Sequence, residues 1–200
     1  MKLYLKIKRI LDFGFALILL PIASIIMIFS AIAIKIESKG PIFFMQERLG
    51  KDGKIINVYK FRTMRTETKQ GDRDLSNNER LTKVGSFLRK TSVDELPQLF
   101  NILLGKMSFI GPRPLLVQYL EYYSTIQMRR HEVMPGISGW AQVNGRNKIS
   151  WERKFEYDVW YVDNMSFLLD LKIFWLTIYK IIKREDINQR DDTTMEKFMG

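Results

Sequence analysis

Residues Phe13 to Ile34 form a run of 22 positions without one charged side chain. About 20 apolar residues are enough to cross a bilayer. A helix apolar on every side is rare in the core of a small domain, whose helices normally keep one polar face. No small-residue cleavage site follows the run, which separates it from a removable signal peptide. Lys2, Lys6, Lys8 and Arg9 precede it, and basic flanks of this kind hold an amino end on the cytoplasmic side. Lys35 and Lys39 follow it. Pro21 sits near the middle, where a proline removes a backbone donor and bends a helix. Taken alone, the segment reads most simply as one spanning helix. A helix that breaks at Pro21 and returns to the face it entered would keep both basic flanks on one side. Length does not choose between the two.

A second apolar stretch runs from Ser166 to Arg184, with Phe167, Leu168, Leu171, Trp175, Ile178, Tyr179 and Ile182 on one broad helical face. Asp170, Lys172, Lys180, Lys183 and Arg184 interrupt it. That pattern fits a helix lying in the headgroup region and fits a core helix equally well. Between the two stretches the organisation is that of a small α+β domain, helix-dominated. Pro41 to Arg62 reads as a β-hairpin turning at Asp52-Gly53. Thr66 to Arg80 carries seven charged residues and one large apolar residue, Leu75, and reads as a mobile surface loop. Leu81 to Gly105 is mostly helical in pattern, and Glu121 to Val133 predicts another helix. Pro135, Gly136, Gly139 and Gly145 mark an irregular loop. Trp151, Phe155 and Val159 stand at helical spacing within 151–161.

Composition removes several chemistries. The chain has no cysteine, so no disulfide or thiolate metal site exists. Its single histidine, His131, rules out a multi-histidine zinc site and reads as structural or exposed, with no catalytic part. The formal net charge is +10, which suits nucleic acid, anionic lipid or a phosphate-rich substrate. No nucleic-acid-binding motif is present, and the long apolar run argues against that partner. Hydrophobic residues at 46% allow a real core.

The most informative polar segment is Arg89 to Leu99, where Asp94 and Glu95 precede Pro97 and an apolar helix. Proline is tolerated in a first helical turn, so the two carboxylates belong at or next to a helix start. Unpaired backbone N–H groups and the positive end of the dipole favour an anion there. A carboxylate so held serves as a nucleophile or binds a divalent cation. Ser92 and Glu95 also have capping-box spacing, and a cap accounts for that stretch on its own. Basic residues beside prolines and glycines add to the pattern: Lys60-Phe61-Arg62, Arg89, Gly111-Pro112-Arg113-Pro114 and Asn144-Gly145-Arg146. Arginine grips phosphate oxygens in pairs, so a cluster of this kind suits a polyanion.

These motifs, in this order, resemble one family. The match includes the basic start and apolar run, Val58-Tyr59-Lys60-Phe61-Arg62-Thr63-Met64 and Ser92-Val93-Asp94-Glu95-Leu96-Pro97-Gln98. It continues through Ser108 to Pro114, Pro135 to Arg146 and the ending Glu196-Lys197-Phe198-Met199-Gly200. The chain is similar to the small monotopic phosphoglycosyl transferases, the bacterial initiating sugar transferases. The resemblance implies a re-entrant membrane helix-break-helix over 1–39, with the break at Pro21. It implies a catalytic domain over 40–200, with interfacial helices around an active site on the cytosolic face of the bacterial cytoplasmic membrane. The usual Ser-Pro pair of the break is Leu20-Pro21 here, with Ser24 three residues on.

By the same resemblance the donor is a UDP-sugar and the acceptor polyprenol phosphate. Asp94 is the implied nucleophile, and Glu95 the partner that helps to hold Mg²⁺ or to position the acceptor. Asp94 and Glu95 together are the implied metal ligands. Lys60, Arg62, Arg89, Arg113 and Arg146 are the implied phosphate-side residues, and Asp158 orients an arginine. Downstream glycosyltransferases are implied partners. The competing readings are a basic membrane-associated scaffold without catalysis, and a transferase without a covalent intermediate, in which Asp94 is a ligand or base.

Overall fold

The computed structural model describes residues 2–145, 148–183 and 198–199. Helix α1 spans Lys2–Glu37 and contains Pro21. Residues on both sides of Pro21 stay helical, so the expected interruption is absent. A proline there removes one backbone hydrogen bond without ending the helix, because the surrounding turns keep theirs. Ala16, Ala23, Met27 and Ile34 form a single stripe at spacings of seven and four that is buried in the main hydrophobic cluster, with Leu19, Leu20 and Ala31 packed partly against it. Large apolar residues on the other faces are exposed, including Ile18, Ile22 and Phe29. The helix is long and apolar enough to cross a membrane, and 22% of its most apolar window is buried in protein. A core helix of a water-soluble domain would be covered on most sides.

The hairpin appears where the turn pair placed it. Strand β1, Phe43–Leu49, pairs antiparallel with β2, Ile55–Phe61, in the register Phe43↔Phe61 to Leu49↔Ile55. The connection is a 3-10 turn at Lys51–Gly53, with Asp52 and Gly53 at positive φ. The charged segment after it carries a small ladder, β3 at Lys69–Gln70 with β4 at Arg73–Asp74. One turn of helix follows, α2 at Asn77–Arg80, started by a capping box between Ser76 and Glu79.

The predicted helical stretch divides in two. Helix α3, Lys83–Thr91, ends at Ser92 in the left-handed region (φ 57°, ψ 15°). A 3-10 turn, Val93–Glu95, then leads into α4, Gln98–Leu103. Helix α3 lies directly on the chain leaving β2: a Cβ at Gly85 would stand 2.0 Å from the Thr63 carbonyl oxygen. Leu88, Leu99 and Ile102 pack with the α1 stripe and with Ile56 and Phe61 of the hairpin.

Strand β5, Ser108–Ile110, pairs in parallel with β6, Gly136–Ser138, inside the stretch expected to be irregular. A three-residue strand carries too little periodicity to be seen in sequence. The expected helix over 121–133 is instead a 3-10 turn at Val117–Tyr122, α5 at Thr125–Met128 and a 3-10 turn at Arg129–His131. Ser124 and Gln127 form a capping box that restarts the helix, which divides the segment. Helix α6, Trp140–Val143, is also short. Helix α7, Trp151–Asn164, buries Phe155 and Val159 as the spacing predicted. Helix α8, Phe167–Lys183, buries Asp170 and Ile173. Its expected apolar face points outward, with Leu168 and Ile182 each 75% exposed and Trp175 60% exposed. Arg184 lies outside the described residues.

Asp170 joins three elements. Its carboxylate accepts hydrogen bonds from Tyr4 Oη, Lys8 Nζ and Tyr161 Oη, each at 2.6 Å. Arg9 donates to the carbonyls of Ile102 and Leu103, and Glu37 accepts from the backbone N–H groups of Lys83 and Val84. Both ends of α1 are thus tied to the same body of helices.

Candidate active site

The site is built where the chain turns at Ser92. A non-glycine residue in the left-handed region costs about 1 kcal/mol or more. The turn reverses the chain between α3 and α4 and sets Asp94 and Glu95 next to the start of α4, as the position of Pro97 predicted. The capping-box reading fails. Ser92 makes no side-chain cap, and the Glu95 side chain reaches across to two other elements. Lys60 of β2 donates to Glu95 Oε1 at 2.7 Å, and Arg113 donates to the same oxygen at 2.6 Å.

Backbone contacts place those two cations. Asn101, fully buried in α4, donates from Nδ2 to the Asn57 carbonyl and accepts from the Tyr59 N–H through Oδ1. This polar clamp fixes β2 on α4 and so brings Lys60 to Glu95. Arg113 lies between Pro112 and Pro114, on a loop held beside β6. A Cβ at Gly136 would stand 2.1 Å from the Gly111 backbone nitrogen, so only glycine permits that approach.

Asp158 does orient an arginine, Arg130, which the sequence reading did not single out. Arg130 donates to Asp158 Oδ2 from Nε at 3.0 Å and from Nη2 at 2.7 Å. The same Nη2 donates to the Arg113 carbonyl at 2.7 Å. Asp158 therefore acts one step removed from the site, through the backbone that carries Arg113.

The two adjacent carboxyls are electrostatic opposites. Burial would raise the Glu95 carboxyl, but Arg113 and Lys60 outweigh it and hold the group well below the usual range. Asp94 forms no hydrogen bond or ion pair among the described residues. Burial, and then the neighbouring Glu95 charge, raise its carboxyl to about 6 against the pull of Lys60, Arg89 and Arg113. Burial lowers the Lys60 ammonium despite Glu95. The Glu95 charge raises the Arg113 guanidinium.

The remaining predicted residues separate. Arg89 is near Asp94 and donates to Thr63 Oγ1 at 3.0 Å. Arg62 makes its contacts away from the two carboxylates. It is buried and donates to the carbonyls of Ser38 and Lys39 and to Ser38 Oγ, closing the chain after α1. Arg146 lies outside the described residues. Arg48 of β1 was missed. Its guanidinium donates to Gln46 Oε1, and burial followed by the Arg113 charge lowers it to about 10.

Beside the carboxylates a cavity of about 420 Å³ opens between the middle of α1 and α8. Leu19, Ile22 and Ile26 of α1, Leu96 and Leu99, and Ile181 give it apolar walls, while Glu95 and Arg113 form its polar end. Gln142 also lines it, and both atoms of its amide group are buried without a partner among the described residues. Two adjacent carboxylates suit Mg²⁺, which is commonly held by one or two carboxylates with substrate phosphates. No group of three or more candidate ligand residues occurs among the described residues.

Known proteins share this arrangement of sequence. A protein 52% identical over 194 residues is an uncharacterized sugar transferase, EpsL, of Bacillus subtilis (strain 168); the match covers 97% of this chain and 96% of that one. A UDP-glucose:undecaprenyl-phosphate glucose-1-phosphate transferase of Klebsiella pneumoniae is 47% identical over 184 residues, covering 86% of this chain and 39% of the relative. A UDP-N-acetylgalactosamine-undecaprenyl-phosphate N-acetylgalactosaminephosphotransferase of Aeromonas hydrophila is 40% identical over 188 residues, covering 90% and 44%. The chain thus spans about two fifths of the length of these last two. The model of the bacterial sugar transferase family matches residues 3–184, from the start of α1 past the end of α8, and the chain belongs to that family.

Proposed function

We propose that this chain moves a sugar-1-phosphate from a UDP-sugar to polyprenol phosphate, in a covalent two-step reaction on Asp94. One observation carries the reading: an unpaired carboxylate lies among Lys60, Arg89 and Arg113, next to an apolar cavity walled by α1 and α8. In the first step a carboxylate oxygen of Asp94 attacks the sugar-bearing phosphorus, and the bond from that phosphorus to the UMP oxygen breaks. UMP leaves, and the phosphosugar is esterified to Asp94. In the second step a phosphate oxygen of the acceptor attacks the same phosphorus. The Asp94 carboxylate leaves, and polyprenol-diphosphosugar is formed.

Carboxylate, diphosphate and lipid phosphate repel one another, and the three cations offset that repulsion. Glu95 holds Lys60 and Arg113 in place through its ionised oxygen. Asp94 and Glu95 would hold Mg²⁺ with the diphosphate, where the ion would neutralise developing charge. The apolar cavity suits the prenyl chain, and its polar end suits the lipid phosphate. Relatives named for UDP-glucose and for UDP-N-acetylgalactosamine share undecaprenyl phosphate as acceptor, which favours that carrier and leaves the donor sugar to be found. The outward apolar faces of α1 and α8 support placement at the membrane, and the catalytic residues would then lie on the cytoplasmic face, where nucleotide-sugars are made. Such a reaction commits a sugar to the membrane in capsule or exopolysaccharide assembly, upstream of further glycosyltransferases.

The test is UMP release from a panel of UDP-sugars by purified protein with Mg²⁺ and short polyprenol phosphate. Release with one sugar, and phosphosugar label trapped on the protein before acceptor is added, is the expected result. UMP release without label on the protein in a single turnover would replace the covalent route by direct transfer. No release with any sugar from folded, lipid-bound protein would remove the transferase reading in favour of a scaffold.

A further inference from the structure

A second cavity, of about 440 Å³, lies along the amino-terminal third of α1. It shares no lining residue with the first. Asp12, its last α1 residue, and Leu19, the first α1 residue of the other, are about 10 Å apart along the helix at 1.5 Å per residue. Its floor is apolar and soft: Met107, Val133, Met134 and Met165. Four lining residues are cationic, Lys6, Lys8, Arg9 and Lys51, against one carboxylate, Asp12.

Two of those cations have structural partners. Lys8 pairs with Asp170, and Arg9 is engaged by two carbonyls at the end of α4. Lys6 and Lys51 form no ion pair among the described residues, and they reach the cavity from different elements, α1 and the hairpin turn. The turn that carries Lys51 is itself held in place, because His131 Nδ1 meets the Gly50 carbonyl at 2.9 Å. On the same stretch of α1, Leu3 and Ile10 are each 72% exposed, so the cavity lies beside a strongly apolar surface. A water-filled pocket for a soluble anion has no use for a methionine floor next to such a surface. A molecule with an anionic head and an apolar tail satisfies both parts.

We infer that this cavity is a binding site for an anionic membrane phospholipid, distinct from the site of the reaction. Its phosphate is held by Lys6 and Lys51, and an acyl chain lies against Met107, Met134 and Met165. The lipid then joins the amino end of α1 to the hairpin turn and to α7. The inference does not depend on the transferase chemistry.

The test is thermal unfolding of the full chain in neutral detergent with short-chain phosphatidylglycerol, short-chain phosphatidylcholine or inorganic phosphate. Phosphatidylglycerol is expected to raise the midpoint by about 5 °C near saturation. The shift should be lost in the double variant Lys6→Gln with Lys51→Gln. It should be kept in a control that removes two exposed charges elsewhere, Lys69→Gln with Lys90→Gln. Equal shifts with phosphatidylcholine, or equal losses in both double variants, would overturn the site, since the attraction would then be general. A shift as large with inorganic phosphate alone would overturn the lipid assignment and leave an anion site. UMP release by Lys6→Gln with Lys51→Gln should match the parent, which separates failure of this site from failure of the catalytic reading.

Discussion

Two regions of this molecule bury an acidic side chain among partners, and they treat it differently. Around Asp170, one carboxylate receives Tyr4, Lys8 and Tyr161, and nothing is left over. Around Asp94, the cations gather but Glu95 takes two of them at a single oxygen, and the neighbouring carboxylate stays unpaired. Buried polar groups are normally satisfied, and an exception asks for a reason. The first arrangement holds helices together. The second holds charge in readiness for a group that is itself anionic.

The contrast is most exposed to failure at Asp94. Replacing Asp94 by Asn should lower UMP release by roughly 10³-fold or more while leaving the melting temperature unchanged or raised, because an amide needs no counter-charge. Activity that survives would take away the nucleophile. Asp170→Ala should do the reverse. It strands Lys8 and Tyr4, leaves Tyr161 only the Ile110 carbonyl, and should cost about 3–5 kcal/mol in denaturant unfolding, with activity lost only as the folded fraction falls. A folded, inactive Asp170→Ala protein would blur the distinction between the two regions.

Arg113→Lys sharpens the comparison. The charge stays, but the planar fork does not, so kcat/KM should fall about 10–100-fold with little change in stability. Arg130→Lys should produce a smaller fall of the same kind, near 10-fold, since Arg130 acts through the Arg113 backbone. The double variant should lose less than the product of the two, as coupled neighbours do.

His131 gives the smallest effect. Its Nδ1 has the Gly50 carbonyl and its Nε2 is buried without a partner among the described residues. Burial, and then the Arg130 charge, lower its pKa to about 4. Between that value and the ordinary 6.5 the unfolded chain binds more protons than the folded one, so stability falls as pH falls through this window. Lowering the pH from 6.5 to 5.5 should cost about 1 kcal/mol, and His131→Asn should flatten that dependence in urea titrations.

Much of this arrangement is legible in the residues. Asp52-Gly53 gives the hairpin because few other pairs accept its turn. Asp94 and Glu95 are placed at a helix start by Pro97 alone. The cations are harder. Lys60 and Arg62 look alike in sequence, two residues apart at the end of β2 and just beyond it, yet one meets Glu95 and the other seals the end of α1. Only the tertiary path of α1 decides between them. Arg130 was hidden in a basic triplet with Arg129 and His131 inside a stretch that reads as one helix, and its burial depends on α7, which lies far along the chain. Asn101 could have been found, as a polar residue between Leu99 and Ile102 on a buried face. The β5–β6 pairing joins three-residue strands across 28 positions, with no local signal on either side.

The link between Lys8 and Asp170 spans 162 positions of sequence. At a synthesis rate of about 5–20 residues per second, the ribosome needs roughly 8 to 30 seconds to deliver the carboxylate after the ammonium. Through that interval Lys8 has emerged without its carboxylate, although the partners of Glu37 and Arg9, at 83–84 and 102–103, are made earlier. The amino end of α1 is therefore fixed in two stages, first on α4 through Arg9 and last on α8 through Lys8. A chain halted before Asp170 would lack the second of these ties, which makes α8 the element that completes the fixing of α1.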